Sequence, residues 1–228
     1  DHVESLVPSG LLRGINVTIT AGPTWEAIDP VRGITNHSSG KMGYALANAI
    51  IDEGANVTLV SGPTAMTPPA AASFVAVTSA LEMSDAVMKD IHSCDIFIGV
   101  AAVADYRPVL TADQKIKKDE EYLNLELVRN PDILADVAAL DRSPFTVGFA
   151  AETENLIAHA QKKLSAKGID MIAANDVAGE LSAFASDSNE LLVIDKKGTT
   201  HLDRGSKIQI ARLLTKEIAQ RYHETYPA

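Results

Sequence analysis

The run Asn36-His37-Ser38-Ser39-Gly40-Lys41-Met42-Gly43 has the residue types for holding a phosphate where a loop becomes a helix. The first backbone N–H groups of a helix lack internal partners, and the helix dipole favours negative charge there. Gly40 and Gly43 carry no Cβ, so a phosphate or a neighbouring strand can come close; tight helix–sheet packing alone would also use them. A second candidate is the pair Lys163 and Lys167, four apart on a predicted helix. They share one face, where like charges repel unless an anion lies between them, although solvated surface lysines need no ligand. A third is the basic run Lys115-Ile116-Lys117-Lys118. Arg32, Arg107 and Arg129 complete the cations able to gather an anionic ligand.

The elements that must position these residues alternate between strand and helix patterns. Ile15-Asn16-Val17-Thr18-Ile19-Thr20 predicts a first strand, and Tyr44 to Ile51 has the apolar spacing of a helix packed on a sheet. Strands are predicted at 56–60, 95–102, 145–150, 170–174 and 190–194. Helices are predicted at 79–92, from Pro131-Asp132-Ile133-Leu134 onward, at 153–167 and at 206–222. The pattern is that of a mostly parallel sheet with helices on both faces. One segment breaks it: Tyr122-Leu123-Asn124-Leu125-Glu126-Leu127-Val128 alternates like a strand of a hairpin arm spanning about 107–129. Loops at the carboxyl ends of the strands (22–39, 101–106, 149–152 and 175–176) would form one cleft if they converge, since open α/β sheets bind ligands there.

This is not an ordinary dinucleotide fingerprint. The glycines are separated from the first strand by the loop Gly22 to Ser39, and Asn56-Val57-Thr58-Leu59-Val60 runs into Ser61-Gly62-Pro63 without the acid that would hold a ribose. An NAD(P)-binding oxidoreductase and a nucleotide-binding regulatory module remain as alternative readings.

Composition limits the partners. The 228 residues carry a net charge of −10, which argues against a nucleic-acid surface. No apolar run approaches the ~20 residues that span a bilayer. The single Cys94 excludes an internal disulfide framework, agrees with a reducing, cytoplasmic compartment, and sits beside strand-like residues as a small buried group. The histidines show no zinc spacing. Residues 1–14 lack a starting Met, contain Pro and Gly, and read as a linker or a trimmed terminus.

Seven runs, in order along nearly the whole chain, resemble phosphopantothenoylcysteine synthetase of the bacterial, CTP-using type. They are Thr20-Ala21-Gly22-Pro23-Thr24, Asp29-Pro30-Val31-Arg32, the 36–43 run, Ala101-Ala102-Val103-Ala104-Asp105-Tyr106, Lys115-Ile116-Lys117-Lys118, Asn130-Pro131-Asp132-Ile133 and Val147-Gly148-Phe149-Ala150-Ala151-Glu152-Thr153. The resemblance implies a Rossmann-like, doubly wound α/β domain over 15–228 with an added hairpin dimerisation arm. It also implies a possible fusion behind an FMN-dependent decarboxylase, with FMN bound only there.

The activity implied is ligation of 4′-phosphopantothenate to cysteine through an acyl-cytidylate, with CTP as substrate and Mg2+ as cation. The resemblance assigns Asn36 to the acyl intermediate, Arg32 to the phosphate or carboxylate of phosphopantothenate, and Lys115 to cytidylate formation. Ala101, Ala102, Asp105, Pro131, Asp132, Ile133, Leu134, Phe149, Lys163 and Lys167 fall on nucleotide positions. Asp105 is also the expected cation contact, with a turn or helix cap as its alternative role. A homodimer through the arm would set Lys115 over a shared site. Trp25 and the 182–187 loop have no assigned role.

Overall fold

The β-branched run at the start of the chain pairs on both sides, which makes it the centre of the sheet. In the computed structural model, which describes residues 10–118, 121–152, 156–176 and 188–227, this strand is β1 (Asn16–Ala21). It is followed by β2 (Trp25–Ala27), β3 (Gly33–Thr35), α1 (Lys41–Asp52), β4 (Asn56–Ser61), β5 (Ser73–Ala76), α2 (Ala80–Asp90) and β6 (Ile96–Gly99). Then come β7 (Tyr106–Pro108), β8 (Leu127–Arg129), α3 (Ile133–Ala138), β9 (Phe145–Glu152), α4 (Leu156–Lys167), β10 (Met171–Asp176), β11 (Ser188–Asp195), β12 (Thr199–Ser206) and α5 (Lys207–Thr225).

The main sheet has the order β12-β11-β10-β9-β6-β1-β4-β5. The strands from β10 to β5 are mutually parallel, while β11 and β12 are antiparallel additions at one edge. Chain order reverses between β1 and β6, so the switch point at which open α/β sheets bind ligands lies at the carboxyl ends of those two strands. One face is covered by α1 and α5, whose Leu46, Ile50, Ile210, Leu214 and Ile218 pack on Val17, Ile19, Leu59 and Ile98. The other face is covered by α2 and α3, with Met83, Val87, Ile133 and Val137 against Phe97, and by α4, with Ala160 and Leu164 against Ile172. Burying both faces explains why these strands are continuous apolar runs.

Several expectations change. The strand expected over 95–102 is confined to β6, because beyond Gly99 the chain turns to line the switch point. Of the strand expected over 122–128, only the end pairs: β8 lies antiparallel to β7, with Pro108 opposite Leu127, and one further bond joins Val109 N–H to the Glu126 carbonyl. Pro108 has no N–H to donate, which shortens the ladder. Pro131 precedes the helix instead of occupying its first turn, and Asp132 is the N-cap, accepting from Ala135 N–H at 3.2 Å. The polar strand β12, the edge strand β5 and the short hairpin β2–β3 inside the 22–39 loop add to the expected elements.

The segment set apart as linker-like is partly integrated. Leu12 is fully buried in the core, its N–H donates to the Glu53 carbonyl, and the Leu11 carbonyl contacts His223 Nε2 at 2.7 Å. Residues 1–9, Thr153 and the 182–187 loop lie outside the described residues. No helix among the described residues is long and apolar enough to cross a membrane. Cys94 is half-buried and donates to the Ile96 carbonyl at 3.0 Å; burial pushes its thiol up, as suits a packing residue.

Candidate active site

The loops after β1 and β6 are joined across the switch point. Ala102 N–H donates to the Gly22 carbonyl at 2.9 Å, Thr24 N–H returns to the Ala102 carbonyl at 3.3 Å, and Ala104 N–H donates to Thr24 Oγ1 at 3.0 Å. The stitched 100–105 loop therefore divides the crevice. On one side lies a cavity of about 590 Å³, and on the other one of about 570 Å³. Ala101, Val103, Asp105 and Phe149 border both, so the two lobes share a wall.

The first lobe is floored by Thr20 and Gly99 and walled by Pro131, Asp132, Ile133 and Leu134 from the start of α3, with Lys167 from α4. Lys167 Nζ lies 2.7 Å from an Asp132 carboxylate oxygen, which ties α4 to the α3 cap. Arg129 and Tyr106, paired across β7–β8, close the rim, and a hydrogen bond donated by the Arg129 guanidinium to the Tyr106 side-chain oxygen holds that guanidinium above its usual range. Asn130, at the end of the arm, donates to the Ala104 carbonyl at 2.8 Å and accepts from Arg107 at 3.1 Å.

The second lobe is built on the entry to α1. Lys41 N–H donates to Ser39 Oγ at 3.5 Å, while Gly40, the N-cap at φ 74°, offers no side chain of its own. A residue with a Cβ there would be strained and would meet the Thr64 methyl at 2.9 Å. Gly43 serves packing: a Cβ would sit 2.6 Å from that of Ala21 on β1. Ser38, Ser39, Lys41, Lys163, Asn175, Asn189 and Lys207 complete the lobe. Lys207, the first residue of α5, is 8 % exposed. It brings a third lysine, after Lys41 and Lys163, to the lining of this lobe.

Asn36 stands at the junction, donating its side-chain amide to the carbonyls of Val103 at 3.0 Å and Ala102 at 3.3 Å. Both carbonyls accept from Nδ2, which ties Asn36 to the loop between the lobes.

The structure thus gathers Asn36, Gly40, Gly43, Ala101, Ala102, Asp105, Pro131, Asp132, Ile133, Leu134, Phe149, Lys163 and Lys167 at the two lobes. Lys163 and Lys167, expected on one face about one ligand, line different lobes. Arg32 and Lys115 border neither. Arg32 is paired with Asp29, and Lys115 is exposed on the arm. Sequence reasoning placed Lys41 in the 36–43 run and Asn175 in the 175–176 cleft loop, but gave no place at the site to Lys207 or Asn189. Lys207 and Asn189 reach the lobe only through sheet order.

No group of three or more potential metal ligands occurs among the described residues. Asp105 is exposed on the shared wall, whereas Asp132 is committed to Lys167. Among the described lining residues, Asp105 could give a divalent cation one contact, which would suit an ion held mainly by a phosphate-bearing ligand and not one in a protein cage.

A doubly wound α/β protein with a divided site at its switch point is the class that this fold and crevice define. Residues 12–222 match the family described as DNA/pantothenate metabolism flavoprotein C-terminal domain, and the chain belongs to that family. It is 51% identical over 215 residues to the Coenzyme A biosynthesis bifunctional protein CoaBC of Haemophilus influenzae, covering 94% of this chain and 54% of that protein. With the CoaBC of Vibrio cholerae the identity is 53%, covering 92% of this chain and 53% of the relative. The chain thus spans about half the length of these relatives. The crystal structure of the C-terminal domain of a CoaBC superposes with a TM-score of 0.79 at 40% identity, covering 95% of this chain and 100% of that one. A Cab2 mutant H337A complexed with phosphopantothenate-cysteine shares the fold, with a TM-score of 0.73 at 17% identity over 93% of this chain and 87% of that one.

Proposed function

We propose that this chain is a phosphopantothenate–cysteine ligase that uses CTP. The observation that carries the reading is the pair of lobes with one common wall, to which Asn36 is anchored. Two substrates can be bound separately and still meet at Ala101, Val103, Asp105 and Phe149.

CTP occupies the lobe of Pro131 to Leu134 with its phosphates toward Arg129 and Lys167, and 4′-phosphopantothenate occupies the other. Its phosphate lies at the entry to α1 with Ser38, Ser39, Lys41, Lys163 and Lys207, which directs the carboxylate toward the wall. A carboxylate oxygen attacks the α-phosphorus of CTP and pyrophosphate leaves, giving the acyl-cytidylate. The cysteine amine then attacks the acyl carbon, CMP leaves, and the ammonium proton passes to an acceptor. Attack of an anion on an anion needs positive charge aimed at the growing phosphoryl charge, which the lysines supply. Mg2+ bound to the phosphates would add charge neutralisation, with Asp105 as its protein contact. Asn36 Oδ1 accepts from the incoming amine and aims its lone pair.

Lys115 reaches this chemistry from a second copy. Val109, Leu110, Tyr122, Leu123, Leu125 and Leu127 are exposed along the arm. A two-stranded ribbon bearing such residues is marginal in water alone, and an isologous two-fold contact would cover it. In relatives built as bifunctional proteins, a decarboxylase with FMN would supply the companion activity; this chain carries the ligase half. The test supplies 4′-phosphopantothenate, CTP and Mg2+, with and without cysteine. Pyrophosphate and an acyl-cytidylate mass without cysteine, and amide with CMP on its addition, are expected; pyrophosphate release that requires cysteine from the outset would overturn the two-step order.

A further inference from the structure

We infer that Asp29 and Arg32 form a clasp that positions the arm lysine, Lys115, and that Arg32 acts through this clasp without contacting substrate. The inference rests on the role given to Lys115 above.

Asp29 is 2 % exposed, and five donors converge on its carboxylate. Oδ1 accepts from Val31 N–H at 2.9 Å and Arg32 N–H at 2.8 Å. Oδ2 accepts from Arg32 Nε at 3.0 Å and Nη2 at 2.5 Å, and from Ile116 N–H at 3.1 Å. Arg32 Nη2 also donates to the Ile116 carbonyl at 2.9 Å. Both backbone groups of Ile116, the residue after Lys115, are therefore held by one ion pair. Charge-assisted bonds of this sort are the strong ones, and the guanidinium's fixed fork lets one side chain reach a carboxylate and a carbonyl together.

The clasp has a second strap. Ala112 N–H donates to the Ile28 carbonyl at 3.0 Å and Thr111 Oγ1 to the Ala27 carbonyl at 3.1 Å. Residues 111–116 are thus tied at both ends to the turn of the β2–β3 hairpin. That hairpin is itself fixed: buried Glu26 accepts from Ala80 N–H at the start of α2 at 2.9 Å, and Trp25 N–H donates to the Thr78 carbonyl at 2.8 Å. Its outgoing strand ends at Thr35, next to Asn36. One hairpin therefore sets both the residue at the lobe junction and the root of the arm lysine. Lys115 itself is exposed, so its aim comes from its backbone.

Asp29→Asn tests the clasp, because an asparagine amide nitrogen would face donors on either side however it is flipped. Trypsin, which cuts after Lys115, Lys117 and Lys118, reads the tether without using activity. Cleavage in this run is expected to accelerate at least about tenfold in D29N under conditions where cleavage follows local opening. The kcat for pyrophosphate release is expected to fall on the order of 10–100-fold, as for a misplaced group, with KM for CTP and phosphopantothenate within about twofold of the parent. Arg32→Gln, at a half-exposed position, must show the same split if D29N does not fold. Unchanged tryptic cleavage, or a loss in Arg32→Gln carried by KM for phosphopantothenate, overturns the proposal. Lys115→Gln separates the two readings: if it releases pyrophosphate at the parent rate, the role given to Lys115 fails, and the cleavage rate alone decides whether the clasp holds the arm.

Discussion

Asn36 Nδ2 donates to the carbonyl of Val103 at 3.0 Å, and this bond fastens the loop that leads into α1 to the wall between the two lobes. Replacing that nitrogen with oxygen sets an acceptor against an acceptor. Asn36→Asp is therefore expected to disturb the aim of the amine acceptor more than the binding of either substrate. Amide formation from the acyl-cytidylate should slow by about 10²-fold or more while pyrophosphate release persists. Rapid-quench measurement of both half-reactions checks this, and equal losses in the two would remove the assigned role.

Lys163 and Lys167 are one helical turn apart yet border different lobes. Lys167→Gln should raise KM for CTP, and Lys163→Gln should raise KM for phosphopantothenate, each by roughly 10–100-fold if a charge-assisted bond is lost. Steady-state titration of each substrate at saturating levels of the other reads the difference. Crossed or identical effects would show that the lobes are not assigned as proposed.

Shortening residues 112 to 127 should abolish both dimer formation and acyl-cytidylate formation, because the exposed leucines and Lys115 lie on the same arm. Sedimentation equilibrium and a pyrophosphate assay on one preparation test the coupling. A fully active monomer would contradict it.

Asp29 ties stability to pH. The Arg32 guanidinium holds its carboxyl well below the usual carboxylate range, against the opposing effect of burial and with help from the N–H groups of Val31, Ile116 and Arg32. A folded-state value below the unfolded value of about 3.9 means that the contribution is complete above roughly pH 5 and is lost as pH falls toward the folded value. The Tm difference between the parent and Asp29→Asn should therefore be largest near neutrality and shrink below about pH 4. A difference that is constant from pH 7 to pH 3 would deny the carboxylate this role.

Local sequence determined the elements whose periodicity is strong. The β-branched runs of β1 and β4 and the apolar face of α1 are legible because each is buried by neighbours that demand that spacing. Ser206 at the head of α5 was legible because a serine followed three residues later by glutamine forms a capping box, which the structure contains. The strand β12, Thr-Thr-His-Leu-Asp-Arg-Gly-Ser, was not legible: it is an edge strand, and only Leu202 in it is buried. Its pairing comes from β11, not from its own pattern.

At the site, the sequence by itself specified the residue types: the glycines at 40 and 43, the amide at 36, and the lysines at 115, 163 and 167. Only the tertiary structure decided which of them meet. It placed Lys163 and Lys167 on opposite sides of a wall, brought Lys207 from the far end of the chain to the entry of α1, and turned Arg32 toward Asp29 and the Ile116 backbone. The physical reason is that local chain stiffness and capping act within a few residues, whereas strand order and loop-to-loop hydrogen bonds fix the distances between groups that the sequence keeps far apart.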